Sequence, residues 1–113
     1  MKDFIVYIDD MLDAIKKGMS FVEDISFSKF KEDDKTQFAV IRVIEIIGEA
    51  SKKIPNEIKV QYKEVPRKEI SGMRDKLIHD YIGIDIEVVW KTVEEDLHSL
   101  KPLLVQMKKE LDL

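Results

Sequence analysis

Cysteine is absent from the 113 residues, so neither a disulfide framework nor a thiolate metal site is available. Long apolar runs are absent too: none approaches the roughly 20 residues of a membrane span. Met1-Lys2-Asp3-Phe4 is not a basic stretch leading into an apolar one. No secretory signal is therefore expected, and cytoplasmic residence is the default expectation. Four glycines and three prolines leave no linker, low-complexity tract or internal repeat. A basic excess is lacking as well. The net charge of −4 argues mildly against nucleic acid as a partner. Histidine is scarce, with two in the chain, so each becomes a candidate for chemistry or for a specific structural role.

What is present suits one helical domain over residues 1–113. Apolar residues make up 44%, enough for one core at this length. The charged fraction of 37% is compatible with a thermophilic source. Over residues 3–24, Phe4, Ile8, Met11, Leu12, Ile15, Met19 and Val22 recur at helical steps. Gly18 is tolerated inside that helix. Residues 25–30, Ile-Ser-Phe-Ser-Lys-Phe, read as a loop whose aromatics tuck onto the bundle. Asp33, Asp34 or Thr36 can cap a second helix, about 35–54.

That second helix is apolar nearly all round, which indicates burial on more than one side. A chain this short has little interior to surround it, so one face is expected to meet a second copy. Its polar stripe is Arg42, Glu45, Glu49 and Lys52 or Lys53, and this stripe can line a cleft. It can equally be a solvated face with an ordinary i, i+3 Arg–Glu pair. Pro55 stops the helix. Residues 56–63 read as a short helix with Tyr62 turned inward, and Pro66 opens a third helix that runs to about His79. Asp85 caps a fourth helix, about 86–111, with Trp90, Val93, Leu97, Leu100, Leu104, Met107 and Leu111 as its apolar seam. Pro102 inside it is expected to kink or split it. The fold class is all-α: an up-and-down four-helix bundle with a short extra helix, homodimeric.

Chemistry gathers in Ser71-Gly72-Met73-Arg74-Asp75-Lys76-Leu77-Ile78-His79-Asp80-Tyr81. Histidine trades protons near neutral pH. Arginine stays charged and fits phosphate oxygens. A proton carrier with a phosphate clamp is a minimal kit for cutting RNA without a metal. The same two residues near a helix end can also be a surface charge and a C-terminal cap. Five residues at about 100° each set Arg74 and His79 roughly 140° apart on an ideal helix. Either the long arginine reaches over a relaxed helix end, or two protomers pool their pairs across a cleft. Asp75 does share a face with His79 at i, i+4 and can orient the imidazole or remain a solvated carboxylate. Residues 63–79 carry Lys63, Arg67, Lys68, Arg74 and Lys76 against Glu64, Glu69 and Asp75. This local basic excess implies few phosphate contacts and a short footprint.

Arg74-x4-His79-x-Tyr81 resembles the signature of HEPN domains, in the longer form seen in HepT-like toxins. The flanks agree: Ile70 to Asp75 before the motif, Ile47-Gly48-Glu49-Ala50 upstream, and Val89-Trp90 with Asp96-Leu97 downstream. Two positions depart from the pattern. Arg67 follows Pro66 where a tryptophan is expected, and His98 follows Leu97 where a proline is usual. The resemblance implies a HEPN bundle and a metal-independent endoribonuclease with Arg74 and His79 catalytic. It places a well-kept acidic residue at Glu49, a supporting position. It further implies an MNT-type nucleotidyltransferase as antitoxin partner, able to transfer AMP to Tyr81. A non-catalytic dimeric adaptor or nucleotide-binding partner of a nucleotidyltransferase is the alternative on the same fold.

No metal and no cofactor are expected. Glu95-x-x-His98 matches one half of a di-iron bundle motif. The position three before His79 is Lys76, so a second pair is missing. Glu45 and Glu49 are one residue too far apart for the paired Glu-x-x-Glu of nucleotide-hydrolase bundles. His98 is expected on the polar side of the fourth helix.

Overall fold

A computed structural model describes residues 3–63 and 85–111. Every regular element among them is helical. The expected third helix, with Arg74, Asp75 and His79, and Tyr81 just beyond it lie outside the described residues. The first helix, α1, spans Ile5–Phe21. It buries Ile8, Met11, Ala14 and Ile15, the steps at which the sequence repeats apolar side chains. Burial of Ile8, Met11 and Ile15 contributes roughly 1.5–3 kcal/mol each relative to exposure, and the Ala14 methyl less. Gly18 is buried among them and is more than tolerated. A Cβ there would stand 2.9 Å from Val43 Cγ1, so its missing side chain lets α1 approach the next long helix closely.

The expected loop at 25–30 is instead entered through a tight turn and becomes a helix. Asp24 takes a left-handed backbone, φ 62°, a conformation its short polar side chain accepts more readily than most. Ser26 then caps α2, Phe27–Glu32, by accepting from the Lys29 N–H at 3.3 Å. Tertiary packing holds this short helix. Phe30 is fully buried, and its ring lies 5.0 Å from that of Trp90, with Phe27 at 5.9 Å on the same indole. The aromatics do tuck onto the bundle, as expected, but from a helix.

Asp33 caps α3, Asp34–Lys52. Its carboxylate accepts from the Thr36 N–H at 3.1 Å and the Thr36 hydroxyl at 2.6 Å. These bonds hold the Asp33 carboxyl below its ordinary pKa. Gln37 adds a brace by donating to the Phe30 and Lys31 carbonyls, which seals the α2–α3 junction. The buried side of α3 carries Val40, Val43, Ile44, Ile47, Ala50 and Ser51, and its main partner is α1. Phe38 points the other way and is 71% exposed.

After Pro55 comes α4, Asn56–Gln61. Tyr62 follows, partly buried against the core. Its hydroxyl hydrogen-bonds Glu110, which raises its pKa. That bond ties the end of α4 to the far end of the last helix.

The expected fourth helix is present but is not uniform. Asp85 caps α5, Ile86–Lys91, accepting from the Glu87 N–H at 3.0 Å. A π turn follows at Thr92–Asp96, and the Leu97 N–H reaches back five residues to the Thr92 carbonyl. Then α6 runs Leu97–Leu111. The wider turn rotates the buried face. Val89 and Val93 are fully buried, while Trp90, expected in the seam, is half-buried. Beyond the turn, Leu97, Leu100, Leu104, Met107 and Leu111 line the core as expected. Pro102 does not split α6. Both Pro102 and His98 are exposed, so the His98 carbonyl that loses its donor lies on the wet side, where water can satisfy it. Lys108 pairs with Asp9 at 2.6 Å and pins α6 to α1.

Candidate functional site

Of the residues singled out by sequence, Glu49 lies within the described residues. It projects from the outer side of α3 and is exposed. Both readings of the polar stripe hold in part: Arg42, Glu49 and Lys53 line a cleft, while Arg42 and Glu45 also form the ordinary i, i+3 pair. Arg42, Ile46, Glu49, Ala50 and Lys53 form one wall, and Tyr7 and Asp10 of α1 form the other, around a volume of about 190 Å³. The stripe arises from helical spacing: Arg42, Glu49 and Lys53 are separated by seven and four residues, two turns and one. The apolar steps of α3 face the core, so these positions face out.

Three polar features define the cleft. Arg42 turns partly away from it toward Glu45, at 3.9 Å, an exposed pair of small energetic weight. Lys53 lies over the Tyr7 ring, Nζ 5.4 Å from its centroid, worth about 0.5–1 kcal/mol at an exposed site. Among the described residues, no hydrogen bond or ion pair engages Glu49. A carboxylate unengaged among the described residues, in one cleft with two cations and an aromatic ring, can accept hydrogen bonds from a ligand. The sequence pointed to Glu49 and the α3 stripe. Tyr7 and Asp10 were missed, because both sit on what periodicity reads as the flank of α1.

His98 is exposed on α6, as expected. It borders a second, open groove of about 510 Å³ with Lys16, Ser20, Glu94 and Lys101. Glu95 is also exposed, so the Glu95–His98 pair faces outward rather than into a bundle core. Among the described residues, no group of three His, Asp or Glu side chains converges as a metal site. No described helix is long and apolar enough to cross a membrane.

The model of the family described as ribonuclease HepT-like matches residues 11–107. The chain belongs to the HepT-like ribonuclease family. The matched span contains Glu49, Arg74, Asp75, His79 and Tyr81. A protein of Thermococcus cleftensis named as a probable ribonuclease HepT is 52% identical over 103 residues, covering 91% of this chain and 94% of its own. A Methanocaldococcus jannaschii protein named as a candidate RNase is 37% identical over 111 residues, covering 98% of this chain and 96% of its own. Another candidate RNase, from Caldanaerobacter subterraneus, is 39% identical over 95 residues, 84% of this chain and 85% of its own. No solved structure matches. As a HepT-like chain, it is a member of an enzyme family, and the all-helical structure of the described residues agrees with that membership.

Proposed function

We propose that this chain is a metal-independent endoribonuclease, the toxin half of a pair with an MNT-type nucleotidyltransferase. The observation that carries this reading is Arg74-x4-His79-x-Tyr81, standing intact inside the span matched by the HepT-like family. The nucleophile is internal to the substrate. A 2′-hydroxyl of RNA gives its proton to a base and its oxygen attacks the adjacent phosphorus. The P–O2′ bond forms and the P–O5′ bond breaks, and the departing O5′ takes up a proton from a general acid or water, leaving a 2′,3′-cyclic phosphate and a 5′-hydroxyl. His79 supplies proton transfer, and Arg74 stabilises the charge that builds on the equatorial oxygens. Asp75 orients His79, and Glu49 supports the site. The chain acts as a cytoplasmic homodimer, with the two Arg–His pairs meeting across the cleft between protomers.

Regulation in this reading falls on Tyr81. The partner transfers AMP from ATP to the phenol oxygen and releases pyrophosphate. The added phosphate brings negative charge and bulk two residues from His79, and Arg74 is drawn to it instead of to RNA.

The test is RNA cleavage in excess chelator. Arg74→Ala is expected to lose about 10²–10³ in rate, and His79→Ala about 10²–10⁴. Cleavage that survives both substitutions, or that needs a divalent ion, overturns the mechanism.

A further inference from the structure

We infer that the α1–α3 cleft around Glu49 is a nucleobase subsite that selects guanine in single-stranded RNA. The inference rests on the reading that RNA is the substrate, and it assigns a base preference to a place in the fold. Volume comes first. About 190 Å³ is below the roughly 300 Å³ at which drug-sized sites begin, so the cleft takes one ring system rather than a whole cofactor. The walls then say which. Tyr7 offers a ring face, and unpaired RNA bases are commonly held by stacking on aromatic side chains. Lys53 covers that face now. Stacking a base is worth about 1–3 kcal/mol against about 0.5–1 kcal/mol for an exposed cation–π contact. A base therefore displaces the lysine, which keeps its charge for the neighbouring phosphate. Arg42 stands about 16 Å along α3 from Lys53 at 1.5 Å per residue, so the two cations flank the base position.

Glu49 sets the preference. Its two oxygens accept, and neither can donate while ionised. A carboxylate is satisfied on both oxygens by two adjacent donors on one edge. Guanine alone has them, at N1–H and the N2 amino group. Adenine and cytosine offer one amino donor beside an acceptor, and uracil one imino donor between two acceptors. The cleft's own charges, Arg42 and Lys53 against Asp10 and Glu49, balance. Affinity therefore comes from stacking and edge pairing more than from net charge, as an acidic chain requires.

The experiment uses short 2′-O-methyl oligoribonucleotides, which bind but cannot be cut. They differ at one position among guanine, adenine, cytosine, uracil and inosine, and fluorescence anisotropy gives their affinities for the intact chain. Guanine is expected to bind about tenfold to a hundredfold tighter than the others, the range of a good bidentate pair. Inosine, which lacks the N2 amino group, loses most of that advantage. Glu49→Gln abolishes the guanine preference and leaves inosine and guanine equal, because a carboxamide presents one acceptor and one donor. Equal affinity for all bases, or a guanine preference that survives Glu49→Gln, overturns the subsite. Free GMP displacing the oligonucleotide at equal concentration overturns the assignment to RNA. Cleavage of the unmodified oligonucleotides is followed in parallel. Guanine-selective binding without cleavage removes the ribonuclease reading and leaves the subsite standing, and cleavage without base preference does the reverse.

Discussion

Gly18→Ala is expected to destabilise the fold, against the ordinary rule for glycine in a helix. Two effects oppose each other. Alanine is favoured over glycine in a helix interior by about 1 kcal/mol. The added methyl must also fit, and it meets Val43 Cγ1 at 2.9 Å and Leu97 Cδ1 at 3.4 Å. The leucine atom is the end of a flexible side chain and can yield. The valine atom cannot swing away, because a β-branched side chain in a helix has one strongly preferred χ1. The α1–α3 crossing must open instead, and overpacking of this kind costs about 1–3 kcal/mol. The net expectation is a loss of up to about 2 kcal/mol, or up to roughly 8 °C in Tm at this size. Thermal and urea unfolding followed by circular dichroism measure it. Val43→Ala supplies the control by removing the obstructing methyl. On that background Gly18→Ala becomes neutral or stabilising, a reversal of sign. A higher midpoint for Gly18→Ala in the otherwise unchanged chain would refute the close-crossing account.

Ser51→Ala is expected to stabilise by about 1 kcal/mol, because the Ser51 hydroxyl is fully buried with no hydrogen-bond partner among the described residues; an unchanged or lower urea midpoint would reject this. Asp33→Ala lowers Tm at pH 7, and the gap from the unsubstituted chain closes in acid. The folded carboxyl lies below its ordinary pKa, so its stabilising effect is complete above about 3.9 and is lost as pH falls through the lowered value; a gap that does not narrow at all as pH falls below about 3.9 would contradict the cap. Phe38→Glu is expected to weaken self-association by about 2 kcal/mol per copy, hence roughly 10³-fold across a two-fold interface. Sedimentation velocity tests this, and a dimer indifferent to the change would move the interface away from α3.

The helices and most of the core were legible because periodicity and capping agree. Ile8, Met11 and Ile15 on α1, and Leu97, Leu100, Leu104, Met107 and Leu111 on α6, all bury as their spacing says. Asp33 and Asp85 cap where a short acidic residue precedes an apolar-periodic run. The segment Phe27–Glu32 misled because its serines and phenylalanines carry weak helix propensity. Two non-local facts decide it, the Phe30 ring under Trp90 and the Gln37 amide on the Phe30 carbonyl. The π turn at Thr92–Asp96 has no sequence mark comparable to a proline. Pro102, which has the mark, leaves α6 continuous because its orphan carbonyl lies at the surface.

The site was legible in the opposite proportion. Arg74 and His79 announce chemistry by type, yet on an ideal helix they point roughly 140° apart. Local periodicity cannot assemble them, so their meeting requires a relaxed helix end or a second chain. By spacing alone Glu49 reads as one member of a polar stripe, no more informative than Glu45, and only the family resemblance sets it apart. What separates the two is the element opposite. Glu45 pairs with Arg42 along α3, whereas Glu49 faces Tyr7 and Asp10 of α1 across the cleft. Those partners lie about forty residues upstream, and the α1–α3 packing that brings them near depends on the close approach at Gly18. A change in that crossing angle would move Tyr7 relative to Glu49 while leaving both residues in place. Gly18→Ala should therefore alter base preference as well as stability. In contrast, an equally destabilising substitution within α6, such as Leu104→Ala, should lower stability and leave the preference unchanged.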